Sequence, residues 1–337
     1  MEERRNKGYG IVSEIIAILE EIPLGRYKLE IGLMLRQAML LNGILFNSEA
    51  WHSVSETEIR MLETVDEHLL RAIVKGHAKT PLELLYLEAG AIPIRHVIAS
   101  RRLIYHQVIL QRDENELTKK FYNAQKVDTI PGDFVDLISE DFKLINEVQD
   151  DRKIKMTNGN SYKQQIKSKV KSAAFSYLKE KQQEHSKVKH IQYDKLLVQK
   201  YMTSPLFSND EVNLLYALRS RSTECKANFK QKYIHTNLLC TLCEVECEDQ
   251  QHIMRCGVIL SEFKTNEINK EDVNYEHIFS NDVQKQKVVT SLFISLFKIR
   301  NSMMENRNSQ EAPSPTRVEL NLSHNLQTCI VNSYSGK

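Results

Sequence analysis

The sequence predicts an all-α protein, and three observations lead to that prediction. Helix-start signals recur along the chain, apolar residues repeat every three to four positions, and no stretch alternates apolar and polar residues over a useful strand length. The composition agrees, with 41% hydrophobic residues, 27% charged residues and only 7 prolines among 337 residues. We therefore expect a multi-helix domain followed by a small helical metal-binding domain.

The length of the chain exceeds what one hydrophobic core usually serves, which is roughly 250 residues, so several domains are expected. A helical domain should occupy residues 1–150 and a basic helical connector residues 151–205. A small zinc-binding helical domain should follow at 206–300. From Glu305 onward Asn, Ser, Gln and Pro dominate, which predicts a disordered tail over 301–337.

In the first half, helix starts are marked by capping boxes, in which two side chains satisfy free backbone N–H groups. The first box, Ser55–Glu58, precedes an amphipathic stretch that Gly76 can end in the left-handed conformation. The second, Thr80–Glu83, has proline at the first helical position, and Gly90 closes the helix that it starts. A third box, Asp113–Glu116, predicts another helix start.

The second half of the chain has turn and cap signals of the same kind, interrupted by one stretch that has lost its apolar period. The predicted elements are a helix after the Pro-Gly-Asp turn at 131–133, a linker at Asp150–Asn160, a Lys-rich helix at Tyr162–Gln183, a helix at Glu211–Arg219 capped by Ser208, and a last helix from Asn281–Asp282 to about Arg300.

A buried cation is expected in the helix that Pro93 opens. At 100° per residue, Arg101 falls in the middle of the apolar arc of that helix. An unpaired buried charge is very costly, so the sequence predicts an ion pair between Arg101 and Glu88 or Glu83. A phosphate contact of Arg101 is the alternative interpretation.

Four potential metal ligands lie within seventeen residues, as Cys240, Cys243, His252 and Cys256 in the pattern C-x2-C-x8-H-x3-C. Two cysteines separated by two residues can direct both sulfurs at one point, and His and Cys four apart share one face of a helical turn. Zinc favours four such soft nitrogen and sulfur ligands in a tetrahedron. Because protein side chains would fill all four positions, the predicted Zn²⁺ is structural and not catalytic.

The alternative is that these are ordinary core residues, but the polar residues that flank them are not typical of a core. Cys247 and His235 lie nearby and could replace a ligand, whereas Cys225 and Cys329 look like unrelated thiols. Motifs for serine hydrolases, P-loop enzymes and zinc proteases are absent from the sequence, so no catalytic residue is predicted.

The net charge is only +2, but the stretch from Arg152 to Lys200 contains thirteen Lys or Arg residues and only three acidic residues. Lys163, Lys167 and Lys171 line up at i, i+4 and i+8, a stripe that repels itself unless an anion lies along it. A nucleic-acid backbone is one such anion, and a merely solvated helix face is the alternative. The predicted nucleic-acid contacts are these three lysines with Arg219, Arg221, Lys230 and Lys232.

Several stretches resemble the region that follows the polymerase palm in reverse transcriptases of non-LTR retrotransposons. They are Lys7-Gly8-Tyr9-Gly10, Pro23-Leu24-Gly25, Leu35-Arg36-Gln37-Ala38, the segment from Leu45 to Trp51, the segment from Leu84 to Pro93, Arg101-Arg102-Leu103 and Pro131-Gly132-Asp133. In such proteins a helical thumb and connector precedes a C-terminal zinc-binding segment, which Cys240, Cys243, His252 and Cys256 match.

The resemblance implies an accessory part of an RNA-directed DNA polymerase that binds RNA or DNA. The fingers, the palm and the catalytic aspartates that bind Mg²⁺ are absent from this chain, so we expect no enzymatic activity from it alone. A zinc-containing helical module that docks protein partners and binds no polyanion is the alternative. The sequence also predicts no membrane span and an intracellular location, in the cytoplasm or the nucleus.

Overall fold

The structure, a computed structural model, describes residues 1–21, 27–51, 53–78, 80–229, 232, 237–262 and 273–311. In these ranges the chain is helical and contains no strand, which confirms the all-α prediction. Pairing between extended segments is confined there to isolated β-bridges, Ala89 with Val198 and Leu239 with Cys247.

In the first half of the chain, three long helices pack with several shorter ones. They are α1 (Glu2–Glu21), α2 (Lys28–Leu35), a π-helical segment (Arg36–Leu41), α3 (Asn42–Ile44), α4 (Glu56–Val74), α5 (Leu82–Ala89), α6 (Ile94–Gln111), α7 (Leu117–Val127) and α8 (Phe134–Leu144).

The second half combines two long helices with several short ones. They are α9 (Asp151–Met156), α10 (Gly159–Gln183), α11 (Lys200–Thr203), α12 (Asn209–Arg219), α13 (Gln250–Arg255), α14 (Gly257–Glu262) and α15 (Val283–Glu311).

Side-chain caps account for several of these helix starts. Ser55 and Glu58 form the predicted capping box of α4, and Ser208 caps α12. The predicted box at Thr80 is wrong, because α5 begins at Leu82 with Pro81 in the cap position and no side-chain cap bond. A proline carries no N–H for a box to satisfy.

The predicted linker at Asp150–Asn160 contains a helix, which corrects that prediction. Asp150 accepts the backbone N–H of Lys153 at 3.1 Å and starts α9, and Asn158 caps α10. Ile154 packs in the smaller buried cluster, and Gln107 and Tyr122 donate hydrogen bonds to the Ile154 carbonyl at 3.0 Å and to Asp151 at 3.0 Å, which hold this short helix in place.

The last helix continues beyond the predicted end at Arg300. Helix α15 extends to Glu311, so residues 301–311 of the predicted disordered tail are helical. The rest of that tail, 312–337, lies outside the described residues.

Two buried hydrophobic clusters form the interior. The larger contains Val12 of α1, Ile253 of α13 and Phe293 of α15, and the smaller extends from Leu103 to Val170. Helix α10 contributes to both, because its first half packs in the smaller cluster and its second half in the larger. The predicted boundaries at residues 150 and 205 therefore do not separate these two clusters.

Arg101 does not pair with Glu88 or Glu83, and the prediction of that ion pair is wrong. The guanidinium donates instead to the Leu45 carbonyl at 2.6 Å and to Asn42 Oδ1 at 2.8 Å. The Leu45 carbonyl lies at the C-terminal end of α3, where carbonyl groups lack partners within the helix, and Asn42 Oδ1 is a side-chain amide oxygen of the first residue of α3. They satisfy the arginine without a carboxylate.

Arg102 makes the buried ion pair of α6. Its Nε and Nη2 donate to both oxygens of Asp141 at 2.6 and 3.0 Å. A similar bidentate pair joins Arg36 to Asp66, and the Tyr86 hydroxyl donates to the same carboxylate at 2.8 Å. Both carboxylates thus have the charged and hydrogen-bonded partners that burial demands.

Glu88 is fully buried at the centre of a polar group that we call the Glu88 cluster, with Tyr193, Tyr201 and Arg219. Arg219 Nε donates to Glu88 at 2.8 Å, and the hydroxyls of Tyr201, at 3.0 Å, and Tyr193 also donate to it. Arg219 Nη1 donates to the Ile278 carbonyl at 2.8 Å. The cluster therefore joins α5 and α12 to the segments before α11 and α15.

Charge and burial act in opposite directions within the Glu88 cluster. Burial, together with the Glu88 charge, raises the pKa of Tyr193 and Tyr201 well above the usual tyrosine range. Burial acts to lower the pKa of Arg219, but the Glu88 carboxylate and the two tyrosines together outweigh it and leave that pKa raised. Arg219 stays charged, with Glu88 as its counter-ion.

Candidate metal centre

The segment around Cys240 folds into a short irregular hairpin. The backbone N–H of Cys240 donates to the Glu246 carbonyl at 2.7 Å, and that of Glu248 donates to the Leu238 carbonyl at 2.9 Å. Glu244 adopts the left-handed conformation at the turn, with φ 56°. The hairpin brings the first two cysteines to the base of α13.

Helix α13 supplies the other two potential ligands. The Asp249 carboxylate accepts the backbone N–H of His252 at 2.7 Å and fixes the start of the helix. Cys256 follows the last turn, and its N–H donates to the His252 carbonyl at 2.7 Å. The His252 imidazole and the Cys256 sulfur therefore lie on one side of the helix, as the four-residue spacing predicts.

The four predicted ligand side chains converge. One ligand atom from each of Cys240, Cys243, His252 and Cys256 lies within 4.8 Å of all the others. Cys243 Sγ and His252 Nε2 are 3.4 Å apart. Tetrahedral bonds of about 2.0 to 2.3 Å place ligand atoms about 3.5 Å apart, so small adjustments allow these four to hold one metal ion. The predicted convergence is confirmed.

The two hairpin thiols differ in acidity. Burial raises the pKa of Cys240 to about 11, against the effect of the backbone N–H groups of Cys243 and Leu242. For Cys243, the upward effect of burial is outweighed by the N–H groups of Val245 and Glu246, which lower its pKa to about 7. Backbone N–H groups that face a sulfur stabilise the thiolate, the form that binds metals.

Glu246 orients the histidine, a role that the sequence interpretation did not assign. Its Oε2 lies 3.4 Å from His252 Nδ1, and Arg255 Nη2 donates to the same oxygen at 2.8 Å. A carboxylate on the second imidazole nitrogen leaves Nε2 directed at the metal position. The sequence contained a signal for this role, because carboxylate residues, Glu246 among them, lie between Cys243 and His252.

The hairpin docks on the last helix through two arginines. Arg300 donates to the buried Glu248 carboxylate, and Arg307 donates to the Thr241 carbonyl and pairs with Glu244 at 3.1 Å. The second arginine lies in the stretch predicted to be a disordered tail. Its contacts span more than 60 residues of sequence, a separation that local patterns do not reveal.

The other thiols lie apart from the converging group. Cys247 is exposed, and Cys225 is buried with a pKa raised by burial to about 12. His235 and Cys329 lie outside the described residues.

The lysine stripe of α10 faces outward. Lys163 and Lys167 are exposed and Lys171 is half-buried, whereas Tyr162, Ile166 and the other apolar residues of the helix face the interior. Within the described ranges no carboxylate pairs with any of the three lysines; the neighbouring Lys169, off the stripe, pairs with Glu147 at 2.6 Å.

The remaining predicted contacts have different environments. Arg219 belongs to the Glu88 cluster and is 2% exposed, so its assignment to a nucleic-acid surface is wrong. Arg221 is partly exposed, and Lys232 is exposed with Glu224 at 3.8 Å. Lys230 lies outside the described residues.

Comparison with known proteins finds no relative. No family model matches the chain, and neither a curated protein nor a solved structure matches it. Among the described helices, none combines the length and the apolar character that crossing a bilayer requires. The chemistry of the side chains is therefore the basis for assigning a function.

Proposed function

We propose that this chain binds RNA or DNA as an accessory C-terminal part of a non-LTR retrotransposon reverse transcriptase, with a structural zinc ion at the metal centre. The sequence stretches that resemble the region after the polymerase palm support the polymerase connection. The metal centre and the lysine stripe support the two physical parts of the proposal. Catalysis is not part of the proposed role.

Zinc is the metal that the donor set favours. Three thiolates and one imidazole are soft ligands, which suit Zn²⁺ better than the oxygen-preferring Mg²⁺ or Ca²⁺. With four protein ligands there is no position for a reactive water, so the ion would hold structure. Its role would be to fix the hairpin against α13 and so against α15.

The observation that carries the nucleic-acid proposal is the division of α10 into two faces. One face packs into both hydrophobic clusters, which makes the helix a rigid support. The other presents Lys163, Lys167 and Lys171 along a line of about 12 Å, from the helical rise of 1.5 Å per residue. A phosphate backbone would neutralise this stripe and release counterions, which favours binding at low salt.

A salt titration of the affinity for a fluorescently labelled 20-nucleotide RNA tests the proposal. In the double variant Lys163→Gln/Lys167→Gln, we expect the slope of log affinity against log salt to fall by about 1.4 to 1.8, since each phosphate contact contributes roughly 0.7 to 0.9. Lys7→Gln/Lys285→Gln, which removes two exposed lysines from α1 and α15, is the matched control and should leave the slope unchanged.

Binding that is absent, or that is insensitive to salt, contradicts the nucleic-acid proposal. Equal effects of the two double variants would show that RNA binding depends on the net charge alone. Helix α10 would then not be the contact surface. A DNA strand of the same sequence and length, titrated in parallel, reports the preference between the two nucleic acids.

A protein-interaction module is a second candidate, favoured by exposed apolar residues on α7. Leu117 and Phe121, one turn apart on the same helix, are 70% and 62% exposed, and neighbouring exposed apolar side chains that form a patch can mark an interface. The same RNA titration separates the candidates, because a docking module of this kind binds no polyanion. A variant Leu117→Ser/Phe121→Ser should leave RNA affinity unchanged under the main proposal.

A further inference from the structure

A cavity of about 610 Å³ lies between the start of α13, the segment that precedes α11 and the segment that follows α12. Its size falls within the roughly 300 to 1,000 Å³ of typical small-ligand sites. Ser186 and Lys187 line one side, and Asp249, Gln250 and Gln251 at the start of α13 line another. The remaining wall comes from Arg221, the segment Ala227–Phe229 and Tyr275.

Arg221 is the group in this wall that lacks a partner. Its Nε–H is buried and donates to no acceptor, and within the described residues no carboxylate pairs with its guanidinium. A buried donor without an acceptor is rare in folded proteins, and a bound ligand would supply the acceptor. Among the cavity's charged groups, Lys187 is a second cation and Asp249 is a carboxylate whose Oδ1 accepts the His252 N–H.

The backbone fixes Arg221 at the cavity. The N–H of Ser222 donates to the Ala217 carbonyl at 2.8 Å and that of Arg221 to the Leu218 carbonyl at 3.2 Å, the two bonds of a Schellman motif that ends α12. This motif places Arg221 in the left-handed conformation, with φ 50°, where glycine is favoured.

The aromatic residues of the wall are held in position by neighbours. Phe229 packs edge-on against His77 with the ring centroids 5.1 Å apart. The Tyr275 hydroxyl donates to Gln250 Oε1 at 2.7 Å, and this hydrogen bond fixes the position of the tyrosine ring. The cavity thus combines an unpaired cation with rigid aromatic side chains, the two elements that bind a nucleotide in single-stranded nucleic acids.

We propose that this cavity binds one nucleotide unit of a single-stranded RNA or DNA, with the phosphate at Arg221 and Lys187 and the base at Phe229 or Tyr275. The choice of a nucleic-acid nucleotide rests on the proposed function. The cavity itself is distinct from the lysine stripe of α10, because none of the stripe residues lines it.

Calorimetric titration of the full chain with adenosine 5′-monophosphate tests the cavity directly. We expect one binding site, weakened about tenfold or more in Arg221→Gly, because the charged hydrogen bonds to the phosphate are lost. Glycine suits the left-handed backbone, so this variant should melt no lower than the parent chain. Lys75→Gly is the matched control: Lys75 is an exposed cation in the same left-handed conformation at the end of α4, with φ 49°.

Two further probes separate the base from the phosphate. Adenosine and inorganic phosphate should each bind at least about tenfold more weakly than the nucleotide, since stacking of a base and charged hydrogen bonds each contribute an effect of that size. Phosphate that binds as tightly as the nucleotide would overturn the proposal in favour of a simple anion site. Absence of nucleotide binding, or equal affinity of Arg221→Gly and Lys75→Gly, would also overturn it.

Failure of the cavity and failure of the proposed function give different results. If the nucleotide does not bind but the 20-nucleotide RNA binds with a salt slope that depends on Lys163 and Lys167, the cavity proposal fails alone. If the nucleotide binds in an Arg221-dependent way and the long RNA does not bind, the cavity is supported as a nucleotide site and the lysine stripe is not.

Discussion

The candidate metal centre and the Glu88 cluster each connect separate parts of the chain. They differ in how far apart their residues lie in the sequence. The four metal ligands lie within seventeen residues, from Cys240 to Cys256. The partners of Glu88 lie 105, 113 and 131 residues away along the chain. The first site organises a small hairpin and one short helix, whereas the second joins α5 to the segments that lead to α11, α12 and α15.

The difference shows which kind of site a sequence reveals. Ligands that are close in sequence have a geometry fixed by local turns, so their spacing alone predicts that they converge. A buried carboxylate can find its cation on any helix that packs nearby, and packing decides which. The sequence predicted Glu88 or Glu83 as the partner of Arg101, and that prediction is wrong, because Glu88 pairs with Arg219.

The largest expected effect is at the Glu88 cluster. In Arg219→Met we expect the free energy of unfolding to fall by about 3 to 5 kcal/mol, because Glu88 would be left as a buried charge without a cation. Urea denaturation followed by circular dichroism measures the loss. Adding Glu88→Gln to this variant removes the unpaired charge and should recover part of the stability, which makes the effects of the two substitutions non-additive.

A pair at the surface provides the control for that experiment. Arg112 and Glu116, which are 40% and 43% exposed, form an ion pair just after α6. Arg112→Met should lower the free energy of unfolding far less than Arg219→Met does, because solvent screens such pairs. Equal losses in the two arginine variants would contradict a special role for the Glu88 cluster.

A smaller effect is expected from the support of the metal centre. Glu246→Gln removes the carboxylate beside His252 Nδ1, and zinc affinity should fall by about 10- to 100-fold, measured by competition with a chelator of known affinity. Glu244→Gln, in the same hairpin but in contact with Arg307, should leave zinc affinity within about twofold, since Glu244 faces no ligand. A reversed order of the two variants would contradict the assignment of Glu246.

Local signals predicted most of the helices and missed what depends on packing. The box at Ser55 predicted α4 because cap and helix are neighbours in sequence. Helix α9 escaped prediction because one buried apolar residue, Ile154, gives no periodic pattern. On α6 the helical arc indicated Arg101 as buried, but the position of Asp141 on α8 makes Arg102 the paired residue.

At the candidate metal centre the sequence revealed the four residues that converge but not what surrounds them. Arg300 and Arg307 reach the hairpin from α15 across 52 and 66 residues of sequence, and the second was assigned to a disordered tail from composition alone. The amino-acid composition of a segment indicates only whether that segment can fold without contacts to the rest of the chain. The contacts of Arg307 with the hairpin hold the polar end of a helix whose earlier turns, with Leu292 and Phe293, pack in the larger hydrophobic cluster.

The central claim is that one metal ion binds at Cys240, Cys243, His252 and Cys256, and metal content tests it most directly. Inductively coupled plasma mass spectrometry of the purified full chain should find one zinc per chain, retained in Cys247→Ser, whose thiol is exposed and outside the group. Cys243→Ser and Cys256→Ser should each lose it. A parent chain without stoichiometric metal, or a Cys256→Ser variant that keeps its zinc, would contradict the claim.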